Sequence, residues 1–161
     1  MSFLGIDPGA TGALAWIDDN GQLLRVEDLP MVEVKVGKTK RRRLASQLLM
    51  LMLQQDRPLH AYVEEVGPRP KEGAVGAFAF GKTSGLIEGV LAGMQIPLTT
   101  IRPQTWMRSL RVPADKGGAR QRAMACFPAH AASFKRVKDD GRAESALIGL
   151  FGVQRASGAI E

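Results

Sequence analysis

Leu4-Gly5-Ile6-Asp7-Pro8-Gly9-Ala10-Thr11-Gly12 sets a carboxylate at the end of an apolar run and breaks the chain directly after it. Residues 2–6 read as a short buried strand that Asp7 ends, and Pro8-Gly9 turns the chain into a second strand at 13–17. A carboxylate at the mouth of a buried strand is costly to keep ionised unless a positive group approaches it. The glycines beside Asp7 leave room for a bulky anion or a metal-bound phosphate to come close to the backbone. A solvated turn aspartate can carry the same local sequence. The decision therefore rests on what the remaining residues bring to this strand end.

Composition narrows the classes. The chain has 161 residues, 45% hydrophobic and 24% charged, as expected of one globular domain over 1–161. No apolar run approaches the ~20 residues of a membrane span, and residues 1–6 lack the cationic and hydrophobic regions of a signal peptide. The single cysteine, Cys126, excludes an internal disulfide and suits a reducing cytoplasm. With two histidines it is also too little for a cysteine-based zinc site. His60 and His130 read as structural. Lys and Arg number 22 against 16 Asp and Glu, a net charge of +6, which favours a polyanion such as nucleic acid. Lys35, Lys38, Lys40, Arg41, Arg42 and Arg43 crowd together, and a second basic group spans Arg102 to Arg122.

Along the chain, strands are expected at 2–6, 13–17 and 23–29, the last two joined by an Asp18-Asp19-Asn20-Gly21 hairpin turn. A basic run is often only a solvated loop or helix start, but the charge surplus favours phosphate contact; after it a helix is expected at 43–55, with Leu44, Leu48, Leu51 and Met52 at helical spacing. A fourth strand follows at 60–66 and a Gly/Pro-rich loop at 67–73. Residues 74–93 form a helix with Ala77, Gly81, Gly85, Gly89 and Gly93 mostly four apart, a stripe suited to close packing on the sheet or on a second subunit. A fifth strand at 97–101, a short helix from Pro103 that holds Trp106, a loop at 113–118 and helices at 119–127 and 140–153 complete the order. This is an α/β pattern: a five-stranded mixed sheet, its first three strands antiparallel, with helices on both faces.

Acids recur at the ends of these elements. Tyr62-Val63-Glu64-Glu65-Val66 repeats the arrangement at Asp7, and strand alternation lets only one of Glu64 and Glu65 face the same way as Asp7. Lys138-Asp139-Asp140-Gly141-Arg142-Ala143-Glu144 opens the last helix, with Asp140 and Glu144 one turn apart; Asp139 and Asp140 are both also placed to cap it. Acids from two strand ends and a helix start can converge on Mg²⁺, which takes oxygen ligands in octahedral array. Two such ions ~4 Å apart support phosphodiester hydrolysis.

These residues resemble the RuvC family of Holliday junction resolvases, within the RNase H-like superfamily. Gly5-Ile6-Asp7-Pro8-Gly9 with Thr11-Gly12 is similar to the family's opening strand and first catalytic aspartate. Val63-Glu64-Glu65-Val66 resembles the strand holding its glutamate, in the register that selects Glu64. Gly81-Lys82-Thr83-Ser84-Gly85 resembles the helix that follows, and Pro113-Ala114-Asp115-Lys116 the loop that brings a lysine to the scissile phosphate. Asp140 and Glu144 resemble the closing acidic pair, although the last acid is a glutamate and the spacing is four instead of three; Asp139 competes for the first place. Compact phage and prophage members share Arg102-Pro103-Gln104-Thr105-Trp106.

The resemblance implies a homodimeric endonuclease resolving branched DNA by paired nicks. Asp7, Glu64, Asp140 and Glu144 would hold two Mg²⁺, with Mn²⁺ as a substitute, and Lys116 would stabilise the phosphoryl charge. Lys38, Lys40, Arg41, Arg42, Arg43, Lys82, Arg120 and Arg122 would grip the DNA backbone. Gly67-Pro68 stands where bacterial members carry an aromatic; Phe78 and Phe80 could replace it in wedging junction bases, but core packing is the favoured reading of both. The alternative within the same fold is a branched-DNA-binding protein with weakened catalysis. An actin-like ATPase, whose phosphate loop also resembles Asp-x-Gly-x-Thr-Gly, needs a second lobe for which 161 residues leave no room, so no nucleotide cofactor is expected.

Overall fold

The computed structural model describes residues 1–67 and 73–160, so most of the loop expected at 67–73 lies outside the described residues. Strands β1 (Ser2–Asp7), β2 (Ala13–Asp18) and β3 (Leu23–Asp28) form an antiparallel meander. Helix α1 (Ser46–Gln55) leads into β6 (His60–Glu64), and α2 (Ala74–Gly93) into β7 (Leu98–Ile101). Both crossovers return parallel to β1, giving the strand order β3-β2-β1-β6-β7. Helices α3 (Pro103–Ser109) and α4 (Gly118–Cys126) and two 3₁₀ turns precede the final helix α5 (Asp140–Ala156).

Alternation along the strands divides the interior in two. Leu4, Ile6, Leu14, Trp16, Ala61 and Val63 point to one face, against Leu49 and Leu53 of α1 and Ile87 and Leu91 of α2. Ala15, Ile17 and Tyr62 point to the other, against Trp106, Ala123, Leu147 and Phe151 of α3, α4 and α5. Helix α5 lies directly on the central strand. A Cβ on Gly5 would overlap the Ser145 carbonyl and the Gly149 backbone nitrogen, so only glycine permits that approach.

One element departs from expectation. The basic stretch is neither loop nor helix start: β4 (Met31–Val36) and β5 (Thr39–Leu44) form a separate antiparallel hairpin, and α1 begins only at Ser46. Gly37 makes the tight connection at φ 61, the positive value that the first central residue of a type II′ turn requires. Val32-Glu33-Val34-Lys35-Val36 alternates with the period of a strand, and the arginines opposite it pair by register.

Two ion pairs fix the entry to α5. Asp139, 1% exposed, accepts hydrogen bonds from the Arg136 backbone (2.9 Å) and guanidinium (2.8 Å). Arg142 binds Asp28 of β3 through Nε (2.6 Å) and Nη2 (2.9 Å). The guanidinium of Arg136 holds the Asp139 carboxyl below its ordinary range, and Arg142 does the same for Asp28. A lowered folded pKa means the unfolded chain binds the proton more readily. The stabilisation is therefore complete above about pH 4 and is lost as pH falls through the lowered folded values. Asp139→Asn should lower the melting temperature at neutral pH, with the gap from wild type closing below pH ~4. A gap that stays constant across the acid range would show that this pair does not act through its charge.

Candidate metal centre and nucleic-acid interface

Strands β1 and β6 run parallel with Ile6 opposite Val63, so Asp7 and Glu64, each one residue further on, end neighbouring strands side by side. Both follow the alternation of Gly5 and Tyr62 and face α5. The first turn of α5 rides over the turn after β1: a Cβ on Gly141 would overlap the Thr11 carbonyl and stand 2.9 Å from Asp7 Oδ2. Glu144 is thereby carried to the same point. Carboxylate oxygens of Asp7, Glu64 and Glu144 all lie within 4.8 Å of one another, the only such acidic group among the described residues.

Asp7 is buried and Glu64 and Glu144 half-buried. The Gly9 amide donates to Asp7 Oδ1 at 3.0 Å, and the Trp106 indole donates to Glu64 Oε1 at 3.1 Å. Three carboxylates this close repel one another. Hard oxygens converging from three elements are the donor set that Mg²⁺ or Mn²⁺ takes, and the cluster fits such an ion.

The other expected site residues are distributed as follows. Asp140 stands outside the trio, and Arg120 Nε binds its Oδ1 at 2.6 Å while Nη1 reaches the Lys135 carbonyl. The two residues, expected to serve separately on metal and on phosphate, are thus paired with each other. Asp139 is engaged by Arg136, and Glu65 points away and pairs with Arg102 at 3.2 Å. Lys116 is exposed in the turn before α4. Lys38, Lys40, Arg41, Arg42 and Arg43 are exposed on the hairpin, where Lys40 pairs with Glu33 at 3.2 Å. Arg42 Nη1 donates to the Ala10 carbonyl, tying the hairpin to the turn beside Asp7. Lys82 is exposed on α2, whereas Arg122 is half-buried. Phe78, also on α2, is 75% exposed and is not the core residue that sequence reasoning favoured. His60 bonds Thr99 Oγ1 at 2.9 Å, the structural role expected of it.

Trp106 makes a contact with the acidic cluster that sequence reasoning missed. It is fully buried, as core packing requires, yet its indole N–H also orients Glu64. Partners of this kind typically change metal affinity or activity by about 10–100-fold. Trp106→Phe keeps most of the packing and removes the donor. It should raise the Mg²⁺ concentration needed for half-maximal activity about tenfold; an unchanged metal dependence would leave Trp106 with packing alone.

No family model and no curated protein matches the sequence. Among solved structures, T. thermophilus RuvC in complex with a Holliday junction substrate superposes with a TM-score of 0.65 at 16% identity, over 98% of this chain and 97% of that one. A second Thermus thermophilus RuvC structure gives 0.65 at 20% identity, over 98% and 97%. The fowlpox virus Holliday junction resolvase gives 0.57 at 15% identity, over 99% and 100%. The mixed sheet, the helices on its two faces and this near-complete coverage agree: the chain has the RuvC-type, RNase H-like fold.

Proposed function

We propose that this protein is a divalent-metal-dependent endonuclease that resolves four-way DNA junctions by paired nicks. The observation that carries the reading is the Asp7–Glu64–Glu144 cluster, set where the ends of β1 and β6 meet the start of α5 in a RuvC-type fold. Asp7, Glu64 and Glu144 would hold the ions, with Asp140, one turn before Glu144, completing the set. When bound, Mg²⁺ or Mn²⁺ in such a site generates the nucleophile from water and stabilises the leaving oxygen.

The chain's own groups position the reactants. The Gly9 amide and the Trp106 indole fix the carboxylate orientations of Asp7 and Glu64. Lys116 would neutralise charge developing on the phosphoryl group. The hairpin cations Lys38, Lys40, Arg41, Arg42 and Arg43, together with Lys82, Arg120 and Arg122, would hold the flanking backbone, so binding should weaken steeply with salt. The test is a synthetic four-way junction incubated with the protein in chelator and then with Mg²⁺ or Mn²⁺. Metal-dependent symmetric nicks are expected, and binding without cutting in either metal overturns the nuclease.

The Arg120–Asp140 pair favours a second reading, a branched-DNA-binding protein with weakened catalysis, because it engages one of the four expected ligands. Asp140→Asn separates the two. If Asp140 turns to the metal during the reaction, the substitution abolishes nicking; if it remains with Arg120, nicking is little changed.

Symmetric nicks require two active sites, and a homodimer supplies them. The glycine stripe of α2 does not face the sheet, where Thr83, Ser84, Ile87 and Leu91 are buried instead. A Cβ at Gly81, Gly85, Gly89 or Gly93 meets nothing within 4 Å, so the stripe is open to a second copy. Gly89→Trp should still fold, since the glycine it replaces weakens the helix, but its melting temperature should no longer rise with protein concentration as that of an associating pair does. Light scattering should then report a single chain in place of two; an intact dimer would place the contact elsewhere.

A further inference from the structure

Among the described residues, three arginine–aspartate pairs surround the start of α5, and one is built differently from the others. Arg142 grips Asp28 with two nitrogens, at 2.6 and 2.9 Å, and Arg136 reaches both oxygens of Asp139. Forked pairs of this kind fix a geometry. Arg120 instead reaches Asp140 through Nε, at 2.6 Å, and turns Nη1 to the Lys135 carbonyl at 3.3 Å. The side chain of Arg120 is 16% exposed and that of Asp140 47%. A Cβ on Gly117 would stand 2.7 Å from Arg120 Nη2, so this glycine, at φ 93, leaves the space in which the guanidinium lies. The cation is therefore held by the turn of its own helix and by the chain before α5. The aspartate stands half in solvent, at the end of one hydrogen bond.

Both partners have a second use within reach. Asp140 precedes Glu144 by one turn on the same face of α5. Its neighbour Gly141 presses on the acidic cluster, since a Cβ there would stand 2.9 Å from Asp7 Oδ2. Arg120 lies in the first turn of α4, which contains no acid, and the exposed Lys116 stands four residues before it. An anion is favoured at such a helix end.

We propose that Arg120 is the positioning residue that couples DNA to the metal centre. It holds Asp140 away from the acidic trio until a backbone phosphate replaces that carboxylate, and the released Asp140 then completes the metal site. The proposal rests on the reading of the cluster as the metal centre of a nuclease and adds the step that brings in its fourth acid. A guanidinium takes phosphate and carboxylate through the same N–H groups, so the two compete for Arg120. While the pair is closed, the apparent affinities for metal and for phosphate are both lowered by the fraction of molecules in which it is open. Holding Asp140 back also spares the free protein a fourth carboxylate beside three that already repel one another. The site stays incomplete on the free chain and assembles on DNA.

The experiment uses the full chain in two states. Mn²⁺ binding to the DNA-free protein is followed by loss of the free-ion electron paramagnetic resonance signal. Binding of a four-way junction is followed in chelator, where no cutting occurs. Arg120→Gln should tighten Mn²⁺ binding about fivefold, the weight of one part-exposed ion pair. The same variant should weaken junction binding and lower its salt slope by about 1. Asp140→Asn frees Arg120 and should tighten junction binding about fivefold, because the same closed pair is removed. Both gains should vanish in the double variant. Asp140→Asn should no longer tighten the junction in the Arg120→Gln background, nor Arg120→Gln tighten Mn²⁺ in the Asp140→Asn background.

Gains that persist in the double variant overturn the proposal, because they then come from net charge alone. Unchanged affinities in both single variants also overturn it and leave the pair as a brace between α4 and α5. Melting temperatures in chelator confirm that each variant is folded. Arg120→Met, which keeps an unbranched stem, replaces Arg120→Gln in the cycle if the latter does not fold. Metal-dependent nicking by the wild type is scored separately. Nicking with uncoupled affinities removes the exchange and keeps the nuclease, and coupled affinities without nicking do the reverse.

Discussion

Asp7→Asn is expected to lower metal-dependent nicking of a four-way junction by about a thousandfold, the scale of removing one charge-stabilising group from a polar active site. The substitution is nearly isosteric and keeps an oxygen to accept the Gly9 amide hydrogen bond at 3.0 Å. Fold and DNA affinity should therefore persist. Removing one of three mutually repelling carboxylates should even raise the melting temperature slightly when metal is absent. That combination distinguishes a ligand from a structural residue: activity collapses, stability in chelator is unchanged or higher, and stabilisation by added Mg²⁺ shrinks, because a ligand stabilises only the state that binds it. If Asp7→Asn nicks as fast as wild type, or melts far below it in chelator, Asp7 is not the metal ligand proposed.

Asp7 was legible because two local signals coincide there, an apolar strand and its Pro-Gly stop. Glu64 required one more, since Glu65 stands beside it in the same acidic pair. The register of Ile6 against Val63 and the alternation of β6 send Glu64 to the cluster and Glu65 to Arg102. Glu144 departs from the aspartate of the family pattern, yet its oxygen still comes within 4.8 Å of the others, because Gly141 lets the helix sit close over the first turn. What sequence reasoning did not supply were pairings across long separations. Arg120 meets Asp140 and Trp106 meets Glu64 at separations of 20 and 42 residues, and no local pattern encodes either. The hairpin was missed for a different reason. Its valines alternate plainly, but the run of cations on β5 has low strand propensity and masks that signal. The basic cluster was correctly found and wrongly shaped. As a loop it would carry only diffuse charge; as a strand paired with β4 it forms one wall of a cleft tied to the Asp7 turn.

Gly5→Ala is the second large expected effect, and it reaches the site through the fold. The added Cβ would overlap the Ser145 carbonyl and the Gly149 backbone nitrogen, atoms of a helix that cannot rotate aside as a side chain can. Helix α5 carries Leu147 and Ile148 with no exposure, so shifting it disturbs the core on which it rests. Overpacking of this kind costs about 3 kcal/mol, and for a chain of this length that is a fall of roughly 6–12 °C in melting temperature. Gly73→Ala is the matched control: its Cβ meets nothing within 4 Å and its φ of −67° suits any residue, so it should stabilise by up to ~1 kcal/mol. The activities should diverge in the same direction. Asp7 and Glu64 sit on the sheet while Glu144 sits on the helix that Gly5→Ala displaces, so the trio opens and the apparent affinity for Mg²⁺ falls even at temperatures where the protein remains folded. Equal melting temperatures for the two variants would contradict the close approach of α5 to β1. A destabilised Gly5→Ala protein with unchanged Mg²⁺ dependence would show instead that the position of Glu144 does not depend on that contact.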